Sequence, residues 1–240
     1  MPLFGRKRKN TFPHCSAVVA AAGSSSRMEG QDKMFSELNG VPVLAHTLMA
    51  LQACPMIHEI VVVTRSDLIP AVGDLCCDFG IEKATAVVVG GASRTHSVLN
   101  GINACSGETE IIAIHDGARP LVTQEILEKA IARGTATGAA APAVPVKDTI
   151  KEAENGIITG TPDRSRLFAV QTPQVFELGL IKGALTRVLG EGISLTDDCA
   201  AVERLGMKVS LTEGSYENIK VTTPVDLILA EAILEGRERL

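Results

Sequence analysis

Short apolar runs rich in β-branched residues recur along this chain, separated by stretches long enough to hold a helix. Residues 16–20 (SAVVA), 59–64 (EIVVVT), 84–89 (ATAVVV), 110–115 (EIIAIH) and 139–144 (AAAPAV) read as strands. Their apolar positions are mostly consecutive, as expected for strands buried on both faces. The intervening segments carry helix signals. Pro42 stands at a first-turn position of VPVLAHTLMALQAC, Ser93 caps SRTHSVLNGINAC, and Thr123 caps TQEILEKAIARG. This strand–helix alternation predicts an α/β fold with a mixed, mostly parallel sheet between helices.

The rhythm breaks after Pro145. Polar alternation surrounds Glu154-Asn155-Gly156, and Asn-Gly between two such runs is a hairpin signal. The expectation is an antiparallel β-arm at about 146–170, projecting from the sheet and available for dimerisation, within a single domain spanning 1–240. Helices are expected to resume near Phe176 and Thr196. The last opens at Thr223-Pro224-Val225-Asp226, a cap with proline first and an acid third.

Composition narrows the partners. Hydrophobic residues make up 45 % of 240, enough for a sizeable core, and the net charge of −5 gives no argument for nucleic-acid or membrane binding. The basic run from Arg6 to Lys9 reads as a solvated tail. The six cysteines have neither zinc-site spacing nor a neighbour placed to activate a thiol. No apolar run reaches membrane-spanning length and no leader pattern is evident, so the expected setting is the cytoplasm, with reduced thiols.

In a parallel α/β sheet ligands bind beyond the carboxyl ends of the strands, and three predicted loops there are informative. AAAGSSSRM places small residues where a backbone must approach phosphates closely, and Arg27 and Lys33 then supply charge. It matches neither GxxxxGK[ST] nor GxGxxG. The second loop, Gly90 to Ser97, has paired glycines suited to a flat ligand. Ser97 lies one turn into the helix, and Arg94 is suited either to hold a phosphate or to brace the loop. The third, HDGARP, ends a buried strand with Asp116, suited to a metal or a ribose hydroxyl, while Arg119 also suits a structural ion pair. Polar clusters follow at Thr149, Arg164, Gln171 to Gln174, Thr196 to Asp198, and Asn218 to Thr222. Lys220, read as lying in a strand, calls for an anionic partner.

Taken in order, AAAGSSSRM with Lys33, GGASRTHSV, HDGARP, VKDTIK, DRSRLFAVQTPQVF, LTDD and NIKVTTPVDL resemble the cytidylyltransferases of the non-mevalonate isoprenoid pathway over nearly the whole chain. The resemblance implies a nucleotide-diphospho-sugar transferase-like fold and a homodimer that exchanges its arm. It implies that Ala21, Ala22 and Gly23 line the nucleotide, and that Arg27 and Lys33 neutralise the triphosphate and stabilise the transition state. Gly91 and Ser97 would contact cytosine. Asp116 and Gly117 would meet the ribose and the Mg²⁺-bound region. Thr149 and Arg164, from the partner's arm, would hold methylerythritol phosphate, with Thr172, Thr196 and Lys220 completing that pocket. The chain departs from the family at Ala20, Ser25, Ala92 and Gly117, where modest effects on nucleotide affinity are expected.

The implied reaction joins CTP to a sugar-alcohol phosphate. The nucleophile is an ionised phosphate oxygen, so no general base is needed. The obstacle is anion repulsion, which Mg²⁺, Arg27 and Lys33 would offset on the triphosphate, with Arg164 and Lys220 acting on the incoming phosphate. A ribitol 5-phosphate cytidylyltransferase shares part of the motif set, and a nucleotide-binding protein without turnover is a rival of another class. More distant rivals are nucleotidyltransferases acting on sugar 1-phosphates or molybdopterin.

Overall fold

The computed structural model describes residues 12–23 and 32–239. In chain order, β1 (Cys15–Ala20) is followed by the two-residue strands β2 (Glu37–Leu38) and β3 (Val41–Pro42), then α1 (Val43–Ala53), β4 (Glu59–Thr64) and α2 (Ile69–Asp78). Next come β5 (Ala84–Val89), α3 (Arg94–Ala104), β6 (Ile111–Asp116), α4 (Gln124–Thr137) and β7 (Ala139–Pro145). The arm holds β8 (Glu152–Glu154) and β9 (Ile157–Gly160). The chain closes with β10 (Phe168–Val170), β11 (Gln174–Glu177), α5 (Leu178–Gly190), α6 (Cys199–Arg204), β12 (Ser210–Glu213) and α7 (Pro224–Glu238).

The main sheet runs β10-β7-β11-β6-β1-β4-β5, with β12 added parallel to β7. Strands β6, β1, β4 and β5 are mutually parallel, whereas β11 enters antiparallel between β6 and β7. Because side chains alternate along a strand, β1 feeds two cores. Ala17 and Val19 pack with Leu44, Leu48 and Leu127 on one face; Val18 packs with Val98, Ile102 and Phe176 on the other. That two-sided burial is why the parallel strands read as continuous apolar runs.

Register then sets the site. Ala20 lies opposite Asp116 and Thr64 opposite Val89, so these strand ends finish at nearly one level and their loops leave on the same side. The caps also form: the Ser93 hydroxyl accepts from the His96 amide and that of Thr123 from the Ile126 amide. Asn155 (φ 50°) and Gly156 (φ 80°) make the left-handed turn between β8 and β9. The arm is exposed at every residue from 147 to 159.

Several expectations need correction. Pro42 is not inside the first turn of α1; with φ −56° and ψ 141° it pairs with Glu37 in extended backbone, and α1 starts at the next residue. The helices expected near Phe176 and Thr196 do form, α5 from Leu178 and α6 from Cys199, with Phe176 itself in β11. Lys220 lies in irregular backbone between β12 and α7, not in a strand. Phe168 to Val170, expected in the arm, pair antiparallel with β7 of the main sheet.

Candidate active site

At the carboxyl ends of the parallel strands a cavity of about 420 Å³ opens among the three predicted loops. The first loop contributes Ala22, Gly23 and Lys33, with Met34 beside them. Lys33 follows Asp32, whose carboxylate accepts from Arg65 Nη1 at 2.8 Å and from the Met34 amide at 3.1 Å. Arg65 comes directly after β4, so this pair ties the lysine's segment to the sheet. Ala21 is buried behind the wall, its amide bonded to the Val63 carbonyl at 2.8 Å. Arg27 lies outside the described residues, as do Ser25 and the basic run at 6–9.

The second loop supplies Gly91 to Arg94, together with Ser97. A Cβ on Gly90 would stand 2.7 Å from that of Ala22, and one on Gly91 2.4 Å from that of His96, so both positions require glycine. The Ser97 hydroxyl donates to the Ser93 carbonyl at 2.9 Å and accepts from the Gly91 amide at 3.0 Å. It sets the shape of the loop as well as facing the cavity. Arg94 also lines the cavity and is paired with buried Asp198 at 2.7 Å.

The third loop brings Asp116 and Ala118 to the wall, and Lys220 reaches it from the segment before α7. Lys220 Nζ meets Asp116 Oδ2 at 3.0 Å, the anionic partner its position called for. Arg119 Nε donates to the same oxygen at 3.2 Å, while its Nη1 donates to the Asn218 carbonyl at 2.7 Å. Burial opposes ionisation of Asp116, but Lys220, Arg119 and Arg94 prevail and hold its carboxyl down at about 2. Thr172 stands behind this centre: its hydroxyl accepts from the Asp116 amide at 3.1 Å and lies 3.0 Å from His115 Nδ1. Gly117 is likewise backing, its amide bonded to the Ala20 carbonyl and its carbonyl to the Thr47 hydroxyl.

The remaining predicted residues stand apart from this wall. Thr149, Arg164 and Thr196 are exposed and do not line the cavity. Arg164 Nη1 donates to the Lys147 carbonyl at 2.8 Å, within the arm.

Two glutamines of the polar cluster from Gln171 to Gln174 organise the far side. Gln171 is bonded to the backbone of Ser215 and to Asn218 Nδ2, which fixes the turn leading to Lys220. Gln174 accepts from the amides of Asp198 and Cys199, each at 3.0 Å. Neither partner is a sequence neighbour, so no local signal could reveal the link.

The thiols of Cys15, Cys105 and Cys199 are poorly suited to act as nucleophiles. Burial pushes Cys15 and Cys105 up to about 12 and raises Cys199 as well. His115 is fully buried and held neutral, near 4, by burial first and by Arg119 and Lys220. Among the described residues no group of three or more His, Cys, Asp or Glu is placed to hold a metal. Small-residue loops, cations lining the hollow and an ionised aspartate at a strand end are the features a nucleotidyltransferase needs.

The comparisons give that class its particular form. Residues 15–236 match the family model of 2-C-methyl-D-erythritol 4-phosphate cytidylyltransferase, and the chain belongs to that family. It is 48 % identical to the enzyme of that name from Caldanaerobacter subterraneus, over 91 % of this chain and 98 % of the relative. Against the enzyme of Geotalea uraniireducens it is 43 % identical, over 92 % and 97 %. The crystal structure of 4-diphosphocytidyl-2C-methyl-D-erythritol synthase from Anaerococcus prevotii superposes with a TM-score of 0.82 at 30 % identity, covering 93 % of this chain and 96 % of that one.

Proposed function

We propose that this protein, as a single cytidylyltransferase domain, transfers the cytidylyl group of CTP to 2-C-methyl-D-erythritol 4-phosphate and releases pyrophosphate. The observation that carries this reading is the lining of one cavity, which joins the small-residue loop and Lys33 to the second loop's glycine-rich turn and to the Lys220–Asp116 pair. The acceptor phosphate attacks the α-phosphorus, a P–O bond forms, and the bond to the β-phosphate breaks with pyrophosphate leaving. Lys33 and Arg27 stabilise charge on the triphosphate, while Lys220 orients the incoming phosphate. Glycines 90 and 91 and Ser97 frame the base.

A divalent cation, Mg²⁺ in this reading, fits the donor set. Asp116 offers an ionised carboxylate, both cationic contacts fall on its Oδ2, and Mg²⁺ takes few protein ligands when phosphates and water supply the rest. Bound there, it would supply further neutralisation of the triphosphate.

Thr149 and Arg164 act in trans in this proposal. Each is exposed on an arm of one copy and would reach the acceptor pocket of a second, in a homodimer. Thr196, exposed before α6, would close that pocket together with Thr172 behind Asp116. Six free cysteines agree with a reducing compartment, the cytoplasm, and no helix among the described residues is long and apolar enough to cross a membrane.

The test is pyrophosphate release from CTP and Mg²⁺ with 2-C-methyl-D-erythritol 4-phosphate, beside a parallel reaction with ribitol 5-phosphate. Release with the first acceptor alone is expected. Release with only the second would overturn the acceptor assignment, and CTP binding without turnover in either reaction would leave a nucleotide-binding protein.

A further inference from the structure

Arg94 enters the cavity wall from the first turn of α3, but its guanidinium is held from a point 104 residues away, where Nη2 donates to Asp198 Oδ2 at 2.7 Å. The Asp198 side chain is 2 % exposed and that of Arg94 32 %, so a buried carboxylate anchors a cation that borders open space. A guanidinium held by one nitrogen keeps the rest of its donor fork for another acceptor.

Asp198 is itself placed with care. The carboxamide of Gln174, 2 % exposed at the start of β11, accepts from the amides of Asp198 and Cys199 and donates to Asp197 Oδ2 at 2.9 Å. Gln174 sits opposite Ile114 in the register of β6, the strand that carries Asp116. A continuous set of contacts therefore leads from the centre of the sheet, through Gln174 and Asp198, to Arg94. A buried carboxylate this close to a single guanidinium is costly to leave unpaired, which keeps the pair together when the cavity is empty.

We propose that Asp198 is a positioning residue for nucleotide binding: it fixes Arg94 in the cavity wall, so that the guanidinium meets the bound nucleotide without being reordered first. The proposal rests on the reading of this cavity as the CTP site. A cation already held in its binding geometry loses little freedom on association, and the benefit falls on affinity.

The experiment compares Asp198→Asn, Arg94→Lys, Arg94→Ala and the Asp198→Asn/Arg94→Ala double variant in steady-state kinetics, with CTP affinity measured by calorimetry and folding checked by thermal melting. Asp198→Asn keeps the side-chain shape and removes the charge. A rise of about tenfold in the KM and Kd for CTP is expected, with kcat and the acceptor KM changed less than about threefold. Arg94→Lys should raise the CTP KM likewise, since a point charge engaged by Asp198 has no fork left for the ligand. The double variant should be no worse than Arg94→Ala. A wild-type CTP KM in folded Asp198→Asn overturns the proposal, as do losses that multiply in the double variant. If Asp198→Asn does not fold, Arg94→Lys decides, and a wild-type CTP KM there is equally fatal. Wild-type protein that neither releases pyrophosphate from CTP nor binds CTP in the calorimeter would overturn the underlying assignment of the cavity as well, whereas wild-type turnover with unaltered variants overturns this proposal alone.

Discussion

His115 and Asp116 are adjacent on β6, yet burial and neighbouring charge treat them differently. His115 is fully enclosed, and its nitrogens face the Thr172 hydroxyl and, at 3.5 Å, the Arg119 carbonyl. Its folded-state value near 4 lies below the ordinary 6.5, so the unfolded chain binds the extra proton between those limits. Stability should therefore fall as pH drops from about 6.5 toward 4, by about 1.4 kcal/mol per unit for one proton. Asp116, near 2 against an ordinary 3.8, adds a second loss below that window, because its folded form resists a proton that the unfolded chain accepts. Urea unfolding of wild type and His115→Gln at pH 6.5 and 5 checks the first step. The variant should lose most of the slope, and an unchanged slope would show that His115 is not the group responsible. The sequence made the cations and Asp116 legible as candidates, since charge at a strand end has few structural uses. It did not reveal their partners. Arg94 and Asp198 lie 104 residues apart, and Arg119 lies 99 from Asn218. Such pairs exist only once the sheet has brought the loops together.

The start of α7 shows an element supporting the site directly. Asp226 Oδ2 accepts from the amides of Thr222 and Thr223, each at 2.8 Å, and from both hydroxyls at 2.7 and 3.0 Å. These bonds, offset in part by burial, hold its carboxyl below the usual range. They also fix the backbone immediately after Lys220. Asp226→Ala should cost about 1–2 kcal/mol of stability, in line with the loss of a helix cap, and should raise the acceptor KM while sparing that for CTP. Urea titration and two-substrate kinetics read the two effects. An acceptor KM equal to wild type would confine Asp226 to the helix. This cap was visible in the sequence because its residues are contiguous, as was the Asn155-Gly156 turn. The parallel strands were visible because burial on both faces forces apolar runs. Helix α2 escaped because Pro70 and Gly73 interrupt its pattern, and β10, β11 and β12 because strands of three or four residues carry too little periodicity to register. Lys220 was misread as strand because its neighbours Ile219 and Val221 are apolar for packing against the α1 side of the sheet, not for pairing.

Across the whole molecule, the arm is the part whose chemistry one copy leaves unexplained. Ile157 and Ile158 are 70 % and 62 % exposed on it, an apolar surface that no other described residue covers. Its root is firmly seated: Tyr216 donates to the Pro145 carbonyl at 2.7 Å, and Lys147 Nζ sits 3.5 Å from the Tyr216 ring centre. The root therefore rests on the turn that leads to Lys220, while Arg164 remains outside the cavity of its own copy. If the arm serves a second copy, a site draws Lys33 from one chain and Arg164 from the other. Lys33→Ala alone should lower kcat on the order of a hundredfold, and Arg164→Ala alone should chiefly raise the acceptor KM. A mixed dimer of the two, isolated through separate tags, would carry one doubly defective site and one intact site. It should recover roughly half of wild-type activity, the share set by two-fold symmetry. If each arm serves its own chain, every site in the mixed dimer keeps one defect and activity stays at the level of the single variants. Pyrophosphate release at low acceptor concentration separates the two outcomes, because there the Arg164 defect weighs most on the rate.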